Sequence, residues 1–288
     1  MRVTANRLGQ RQAPPAPEPL TPLLDAHTHL DACGAAGPEG VAAIVDRATA
    51  AGVMAVVTVA DDLDSARWVT RAAEWNPRVY AAVALHPTRA TALTDVARAE
   101  IERLTAHPRV VAIGETGMDL YWPDRLAGCA QPDAQREAFA WHIELAKRTG
   151  KPLMIHNREA DREVLDVLGA EGAPDTVIFH CFSSGSTMAR LCADAGWLVS
   201  LSGTVTFRNA RDLREAVPLV PLEQLLVETD APFLTPHPYR GAPNEPYCLP
   251  YTVRALAELL GRPAEELAHV TTANACRVYG IPDTGRTL

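Results

Sequence analysis

The segment LLDAHTHL, residues 23–30, carries two histidines two positions apart at the end of an apolar run. Side chains two residues apart point to the same face of an extended chain, so Asp25, His27 and His29 would share one face of a strand. Two imidazoles that converge at a strand end can bind a divalent metal ion. The same pair also occurs in turns that bind nothing, so its meaning depends on the rest of the chain.

Other residues of metal-binding type also follow apolar runs. The full candidate set is His27, His29, Glu115, His156, His180 and Asp230. Imidazole and carboxylate together suit Zn²⁺, Mn²⁺, Co²⁺ or Fe²⁺, and carboxylates also suit Mg²⁺. Six ligands exceed the needs of one tetrahedral ion, so a carboxylate such as Glu115 could bridge two ions roughly 3.5–4 Å apart. Asp230 could then hold the activated water and move its proton.

Eight apolar runs, each followed by a helical pattern, must position these side chains. The runs cover 23–27, 53–59, 79–85, 109–113, 152–155, 176–179, 197–201 and 225–227. Continuous apolar strands indicate a parallel sheet buried on both faces. Eight strand–helix repeats predict an α/β fold, a single (β/α)8 TIM barrel, with a doubly wound open sheet as the alternative. Barrel active sites lie at the carboxyl ends of the strands, where the candidate ligands fall.

The domain organisation follows from the same pattern. Residues 1–22 contain five prolines and no apolar core of a signal peptide, so we predict a flexible proline-rich leader. Residues 23–288 form the barrel domain. Helices are expected over about 41–51, 64–75, 95–106, 132–149, 159–168, 186–195, 210–217, 251–260 and 264–270, with long loops at 116–131 and 231–250.

The composition excludes some classes of protein. The formal net charge of −8 argues against a broad basic surface that coats nucleic acid, although a local basic cleft is compatible with it. The six cysteines are scattered without a Cys-x-x-Cys pair, which is typical of reduced thiols in a cytoplasmic protein. No apolar run reaches the ~18 residues of a membrane span, so we expect no membrane association. Nothing indicates an obligate protein partner.

Eight motifs in order along the chain resemble those of the TatD family of metal-dependent deoxyribonucleases, of the amidohydrolase superfamily, and cover about residues 23–280. They are DAHTHLD (25–31), ALHPT (84–88), GETGMD (114–119), QREAF (135–139), PLMIHNREA (152–160), FHCFSSG (179–185), ETDAPFL (228–234) and RGAPNEP (240–246). The resemblance implies a metallo-dependent hydrolase barrel that hydrolyses DNA, often as an exonuclease. It implies two divalent ions, with Mg²⁺ in use and Zn²⁺, Mn²⁺ or Ni²⁺ as alternatives.

The resemblance also implies roles for the ligands. His27 and His29 would bind one ion, His156 and His180 the other, with Glu115 bridging and Asp230 at the nucleophilic water. The loop 120–131 departs from the family pattern and borders the site. The only two lysines, Lys147 and Lys151, precede the fifth strand, so the carbamylated lysine of phosphotriesterase-type hydrolases is not expected.

Residues outside the ligand set were assigned by position. His86, Arg158 and Arg240 are candidates for binding a substrate phosphate, and Arg208 is a weaker one. The arginines are chosen because guanidinium binds phosphate in a bidentate manner. The alternatives are that His86 braces a loop and that the arginines are solvated. Trp122 could stack a base. Asp25 and Glu228 are not counted as ligands. Asp25 is expected either in the core or behind a ligand that it supports, and Glu228 either orients a ligand or pairs with an arginine. His142 has helical spacing and is expected to pack.

These assignments support three hypotheses of function. The first is a two-metal phosphodiesterase acting on DNA, as a 3′–5′ exonuclease on 3′ ends and single strands. The second is an amide or ester hydrolase using the same water, such as a D-aminoacyl-tRNA deacylase. The third, a non-catalytic metal-binding scaffold, is disfavoured by the complete ligand set.

Overall fold

The strands form one barrel in the order of the sequence. The computed structural model describes residues 11–282, and its sheet runs β1 to β8 with each neighbouring pair parallel. The strands are β1 (Leu23–Thr28), β2 (Val53–Val59), β3 (Val79–Val83), β4 (Val110–Asp119), β5 (Leu153–Arg158), β6 (Val177–Phe179), β7 (Leu198–Leu201) and β8 (Leu225–Val227). This order confirms the predicted (β/α)8 barrel, because in a doubly wound sheet the order of the strands would reverse at a switch point.

Helices follow the strands and surround the barrel. They are α1 (Pro38–Ala50), α2 (Leu63–Trp75), α3 (Asp95–Thr105), α4 (Pro132–Thr149), α5 (Asp161–Glu171), α6 (Ser186–Ala195), α7 (Arg211–Ala216), α8 (Leu249–Leu260) and α9 (Ala264–Tyr279). Asp62 begins α2 through a reciprocal cap, in which its carboxylate accepts from Ser65 N at 2.9 Å and Ser65 Oγ accepts from Asp62 N at 2.8 Å. Over residues 11–282, none of the helices combines the length and apolarity needed to cross a bilayer.

The core has two layers because successive side chains of a strand point to opposite faces. One layer joins the strands to the helices and includes Phe139 and Ile143 of α4, both fully buried. The other contains alternate strand residues such as Leu24 and Val57, which pack with Tyr279 of α9. Side chains therefore fill the barrel, and polar groups concentrate at the carboxyl ends of the strands.

The barrel closes between its first and last strands at the ends that carry candidate ligands. Asp230 N donates to His27 O at 2.9 Å, and His29 N donates to Ala231 O at 2.8 Å. Beneath these bonds, the buried Asp25 carboxylate accepts from Thr229 N at 2.9 Å and from Thr229 Oγ1 at 2.5 Å. Asp25 is therefore a core group that ties the two strands together, as expected.

The fourth strand corrects the predicted loop. β4 extends to Asp119 instead of ending at residue 113, so the loop expected over 116–131 starts at residue 120. Residues 116–119 pair with Ile155–Arg158 of β5, and this pairing also lengthens β5 beyond its expected end. Gly117 is required at this crossing because a Cβ there would lie 2.1 Å from His156 O, and its φ is +136°.

The described part of the expected leader lies against the barrel. Leu20 is buried and its N–H donates to Ala51 O at 3.0 Å. The Tyr247 hydroxyl, in the 3₁₀ turn Pro246–Cys248 before α8, donates to Pro14 O at 2.7 Å. Residues 14–20 therefore contact the surface near α1 and α8, and residues 1–10 of the predicted leader lie outside the described residues.

Candidate metal centre

Glu115, in the middle of β4, lies between two pairs of histidines. Its Oε1 atom is 3.8 Å from His27 Nε2 and 3.6 Å from His29 Nε2. Its Oε2 atom is 3.1 Å from His156 Nδ1 and 2.8 Å from His180 Nε2. Each carboxylate oxygen therefore faces a different pair, one from β1 and the other from β5 and the end of β6.

Asp230 adds a second carboxylate on the side of the first pair. Its Oδ1 lies 3.6 Å from both His27 Nε2 and His29 Nε2, and those two nitrogens are 3.1 Å apart. The Asp230 backbone is left-handed, with φ of 50°, a conformation that costs a non-glycine residue on the order of 1–3 kcal/mol and is common at functional sites. The hydrogen bonds that close the barrel hold it there.

Each of the four histidines has its other ring nitrogen held by a neighbour. A nitrogen that donates a proton to such a partner leaves the opposite nitrogen with a free lone pair for a metal. The partners are Val59 O at 3.1 Å for His29, Glu228 Oε1 at 3.3 Å for His180, Asp119 Oδ2 at 3.1 Å for His156 and Met154 Sδ at 3.1 Å for His27. The imidazoles are thus oriented before any ion binds.

Asp119 is a functional candidate that the sequence reasoning missed. Its buried carboxylate contacts His156 through Oδ2, and its Oδ1 accepts from the backbone N–H groups of Tyr121 and Trp122, both at 2.9 Å. It therefore couples a candidate ligand to the start of the 120–131 loop. The signal was present in GETGMD, because Glu115 and Asp119 are four residues apart and share a face once β4 is extended through both.

The contacts of Glu228 decide between its two predicted roles, which were to orient a ligand or to pair with an arginine. Its Oε1 contacts His180 and also accepts from Cys181 N at 2.7 Å, so it holds a candidate ligand, and no arginine among residues 11–282 pairs with it. Burial raises the pKa of Glu228, and the side chains of His180 and Ser200 oppose that shift.

The charges of the cluster suit a cation. Burial alone would raise the pKa of Glu115, but the neighbouring His180 and His86 side chains hold it well below its usual range. Burial, with repulsion from His180, lowers the pKa of His27 well below 6.5. Glu115 is therefore anionic and His27 neutral, which are the protonation states in which carboxylate and imidazole bind metals. Burial opposes the charged form of His29, His156 and His180, but the neighbouring carboxylates raise the pKa of all three, so a bound cation would take the place of protons on these rings.

The donor atoms fit a divalent ion. Among residues 11–282, four groups of three ligands have their donor atoms within 4.8 Å of one another, and all draw on this cluster. One group combines His27, His29 and Asp230, as expected. Another includes Asp61, a half-exposed side chain 3.8 Å from His29 that the sequence reasoning did not select. Mixed nitrogen and oxygen donors of this kind bind Zn²⁺, Mn²⁺, Ni²⁺ or Fe²⁺, and their carboxylates also suit Mg²⁺.

The structure brings His86 to the cluster as well. Its Nε2 is 4.0 Å from Glu115 Oε2, and its Nδ1 accepts from Thr88 N at 3.1 Å. This second contact begins the 3₁₀ turn Pro87–Ala92. His86 therefore braces a loop, one of the two alternatives considered for it, and also borders the cluster. Its contact with a substrate phosphate stays a prediction.

The two predicted phosphate-binding arginines lie apart. Arg158 ends β5, and its guanidinium stacks on the Tyr121 ring at 4.0 Å and lies 5.3 Å from the Trp122 ring. Arg240 does not join the cluster. Arg240 belongs to the 231–250 loop, and its guanidinium lies 4.4 Å from the Phe207 ring.

Comparison with known proteins decides the family. The model of the family described as TatD related DNase matches residues 24–280. This chain belongs to the TatD family. A Mycobacterium tuberculosis protein named "Uncharacterized metal-dependent hydrolase TatD" is 77% identical over 259 residues, which are 90% of this chain and 98% of that protein. The Bacillus subtilis protein "Uncharacterized metal-dependent hydrolase YabD" is 40% identical over 90% of this chain and 99% of its own length.

A solved TatD-family structure agrees with the fold. The crystal structure of YjjV, a TatD homologue from Escherichia coli, superposes with a TM-score of 0.83 at 29% identity, covering 90% of this chain and 98% of that one. Together these matches show a TatD-family metal-dependent hydrolase built on a TIM barrel.

Proposed function

We propose that this TatD-family hydrolase cleaves phosphodiester bonds in DNA, removing nucleotides from the 3′ ends of single strands with two divalent ions. The observation that carries the proposal is the Glu115 carboxylate, which directs one oxygen to each of two histidine pairs. His27, His29 and Asp230 would hold one ion, His156 and His180 the other, and Glu115 would serve both. When bound, such ions lower the pKa of water and offset charge that develops on phosphoryl oxygens.

Asp230 is the proposed base. Its side chain is 12% exposed, compared with 0% for His27 and 4% for Glu115, so a water molecule entering the site can contact it. A carboxylate oxygen of Asp230 takes a proton from that water as the water oxygen attacks phosphorus. The bond between phosphorus and the 3′ oxygen of the preceding nucleotide breaks, and that oxygen takes up a proton. The strand is left with a new 3′ hydroxyl, and the released nucleotide carries the 5′ phosphate. The left-handed backbone of Asp230 fixes the direction of this side chain.

Arg158 and the adjacent aromatic rings are the proposed substrate contacts. Within residues 11–282, the Arg158 guanidinium forms no ion pair with a carboxylate, so its donors are available to a phosphate group. Tyr121 and Trp122 place aromatic rings beside it, and such rings stack nucleobases in single strands. His86, at the border of the cluster, is a further donor for a phosphate oxygen.

The test offers purified protein, with Mg²⁺, Mn²⁺ or Zn²⁺, end-labelled single- and double-stranded DNA beside a D-aminoacyl-tRNA. We expect stepwise shortening of DNA from the 3′ end. Asp230→Asn should reduce the rate by about 10²–10⁴-fold, the usual contribution of a general base. Asp64→Asn, which alters a carboxylate that is 94% exposed on α2, is the matched control and should keep the full rate. Cleavage of the tRNA ester without cleavage of DNA would refute the proposal and support the deacylase alternative.

A further inference from the structure

A cationic groove lies beside the 231–250 loop, separate from the metal cluster. It encloses about 450 Å³ and is lined by Arg11, Phe207, Arg208, His237, Pro238 and Arg240. Phe207 and Arg208 follow the 3₁₀ turn Gly203–Thr206 after β7, and residues 237–240 belong to the loop after β8. The groove therefore opens on the carboxyl-end face of the barrel, the face that carries the site.

The positive charge of this groove is not compensated. In the described part of the chain, Arg11, Arg208 and Arg240 form no ion pair within 4 Å, and no carboxylate lines the groove. The whole chain has a formal net charge of −8, so three unpaired arginines in one groove contrast with the rest of the molecule. The Arg240 guanidinium carbon lies 4.4 Å from the centre of the buried Phe207 ring, and its Nη1 donates to the neutral Asn209 Oδ1 at 3.5 Å, so the charge of Arg240 stays available to an anion.

Arg11 reaches the groove because the segment after it is fixed. Its Nη1 donates to Arg240 O at 3.0 Å. Residues 14–20 behind it are held by Tyr247 and by the buried Leu20. The family match begins at residue 24, so Arg11 comes from a part of the chain outside the family pattern.

The loop that bears the groove starts at the metal cluster. Phe233 N donates to Asp230 O at 2.9 Å, and the Phe233 ring lies 6.1 Å from the His29 ring. His237 is four positions after Phe233, and a chain of that length spans at most about 14 Å. The groove therefore begins within roughly 25 Å of His29, which a stacked single strand covers in about seven nucleotides.

We propose that Arg11, Arg208 and Arg240 form a second binding site that holds the phosphate backbone of single-stranded DNA several nucleotides from the cleaved bond. This inference rests on the proposed function, since it names where the remote part of the same substrate binds. Guanidinium groups on a groove that follows the strand provide affinity without reading the base sequence. The segment before the family domain thus gives this protein a preference for long strands over dinucleotides.

The test measures how salt weakens DNA binding. Fluorescein-labelled dodecathymidylate is titrated with metal-free protein in EDTA at 50 to 200 mM salt, using the wild type, R11Q and the triple variant R11Q/R208Q/R240Q. Each phosphate contact on a single strand contributes about −0.7 to the slope of log affinity against log salt. The triple variant should therefore lose about 2 from the slope, so that this salt range weakens wild-type binding about 20-fold more than variant binding. R11Q alone should lose about 0.7.

R190Q is the matched control, because Arg190 is exposed on α6 and is outside the groove. It should leave the slope unchanged. The triple variant should also raise KM for the dodecamer while keeping the wild-type kcat on a thymidine dinucleotide, which shows that the protein is folded and the metal cluster intact.

Three results would overturn the inference. A wild-type slope in the triple variant, with DNA still cleaved, would reject the groove and leave the proposed function standing. Failure of the wild type to bind and to cleave DNA would reject the proposed function and this occupant together. Groove-dependent binding of tRNA in place of DNA would assign the groove to another substrate.

Discussion

Asp119→Asn isolates the role of the missed carboxylate. An asparagine Oδ1 can still accept from the N–H groups of Tyr121 and Trp122, so the loop keeps its bonds. Its Nδ2 group, however, replaces the oxygen that faces His156 Nε2 at 3.1 Å. Two donors cannot face each other, so the His156 proton moves to Nδ1, the nitrogen that faces Glu115 and the cluster. The lone pair offered to a metal is then lost.

The size of the effect follows from this contact. Burial opposes ionisation of Asp119, yet the hydrogen bond from His156 still lowers its pKa below the usual value, so the pair is charge-assisted. A hydrogen bond to a charged group contributes about 1.5–3 kcal/mol. Carboxylates that orient metal-binding histidines change affinity by about 10–100-fold, which corresponds to about 1.4–2.7 kcal/mol. We expect a loss in this range for one ion only, because His156 belongs to one of the two histidine pairs.

Calorimetric titration with Zn²⁺ and Mn²⁺ measures this loss. D119N should weaken one binding event by about 10–100-fold and leave the other within about twofold. D64N should bind both ions as the wild type does. Thermal unfolding of the metal-free proteins shows whether D119N is folded. Wild-type affinity for both ions in a folded D119N would refute the tautomer argument.

Three further predictions concern stability and substrate binding. Burial lowers the pKa of His142 to about 4, whereas this pKa is about 6.5 in the unfolded chain. The contribution of the neutral His142 to the free energy of unfolding is therefore complete above pH 6.5 and is lost as the pH falls toward 4. In urea unfolding, the wild type should lose about 2 kcal/mol more than H142Q between pH 7 and pH 5; equal losses would contradict the assignment. Phe139→Ala should cost about 3–5 kcal/mol in the same assay, and the control Val96→Ala, 74% exposed, less than about 0.5 kcal/mol. Trp122→Ala should raise KM for single-stranded DNA by about 5- to 150-fold, from a stacking energy of about 1–3 kcal/mol; an unchanged KM would remove Trp122 from the substrate path.

The pattern of the strands was sufficient to predict the barrel and the meeting of the ligands. His27, Glu115 and His156 each follow an apolar run, and parallel strands bring their carboxyl ends to one rim. Glu115 and His180 are far apart in the sequence, but the order of the parallel strands predicts that they lie close together, and they do. His142 was expected to pack, and it is fully buried, with Leu85 N donating to its Nε2 at 3.3 Å.

The rest depended on tertiary contacts that leave little trace in the sequence. Asp119 falls inside the loop predicted over 116–131, because polar residues and Gly117 interrupt the apolar run, although pairing with β5 keeps the chain extended there. The proline-rich segment before residue 23 has no periodicity. Its position is set by contacts with residues more than 200 positions later in the chain, such as the contact of Arg11 with Arg240. Side-chain partners of this kind appear only when the chain is folded.

The bonds that close the barrel give the site a particular vulnerability. The amides of His29 and Asp230 are donors across the closure, and the side chains of the same residues are proposed ligands. Fraying at this junction would therefore disperse the first ion site while the other strands stay paired. Inactivation on heating is then a sub-global event with its own, smaller free energy, and hydrogen exchange at these two amides would report it before the barrel melts.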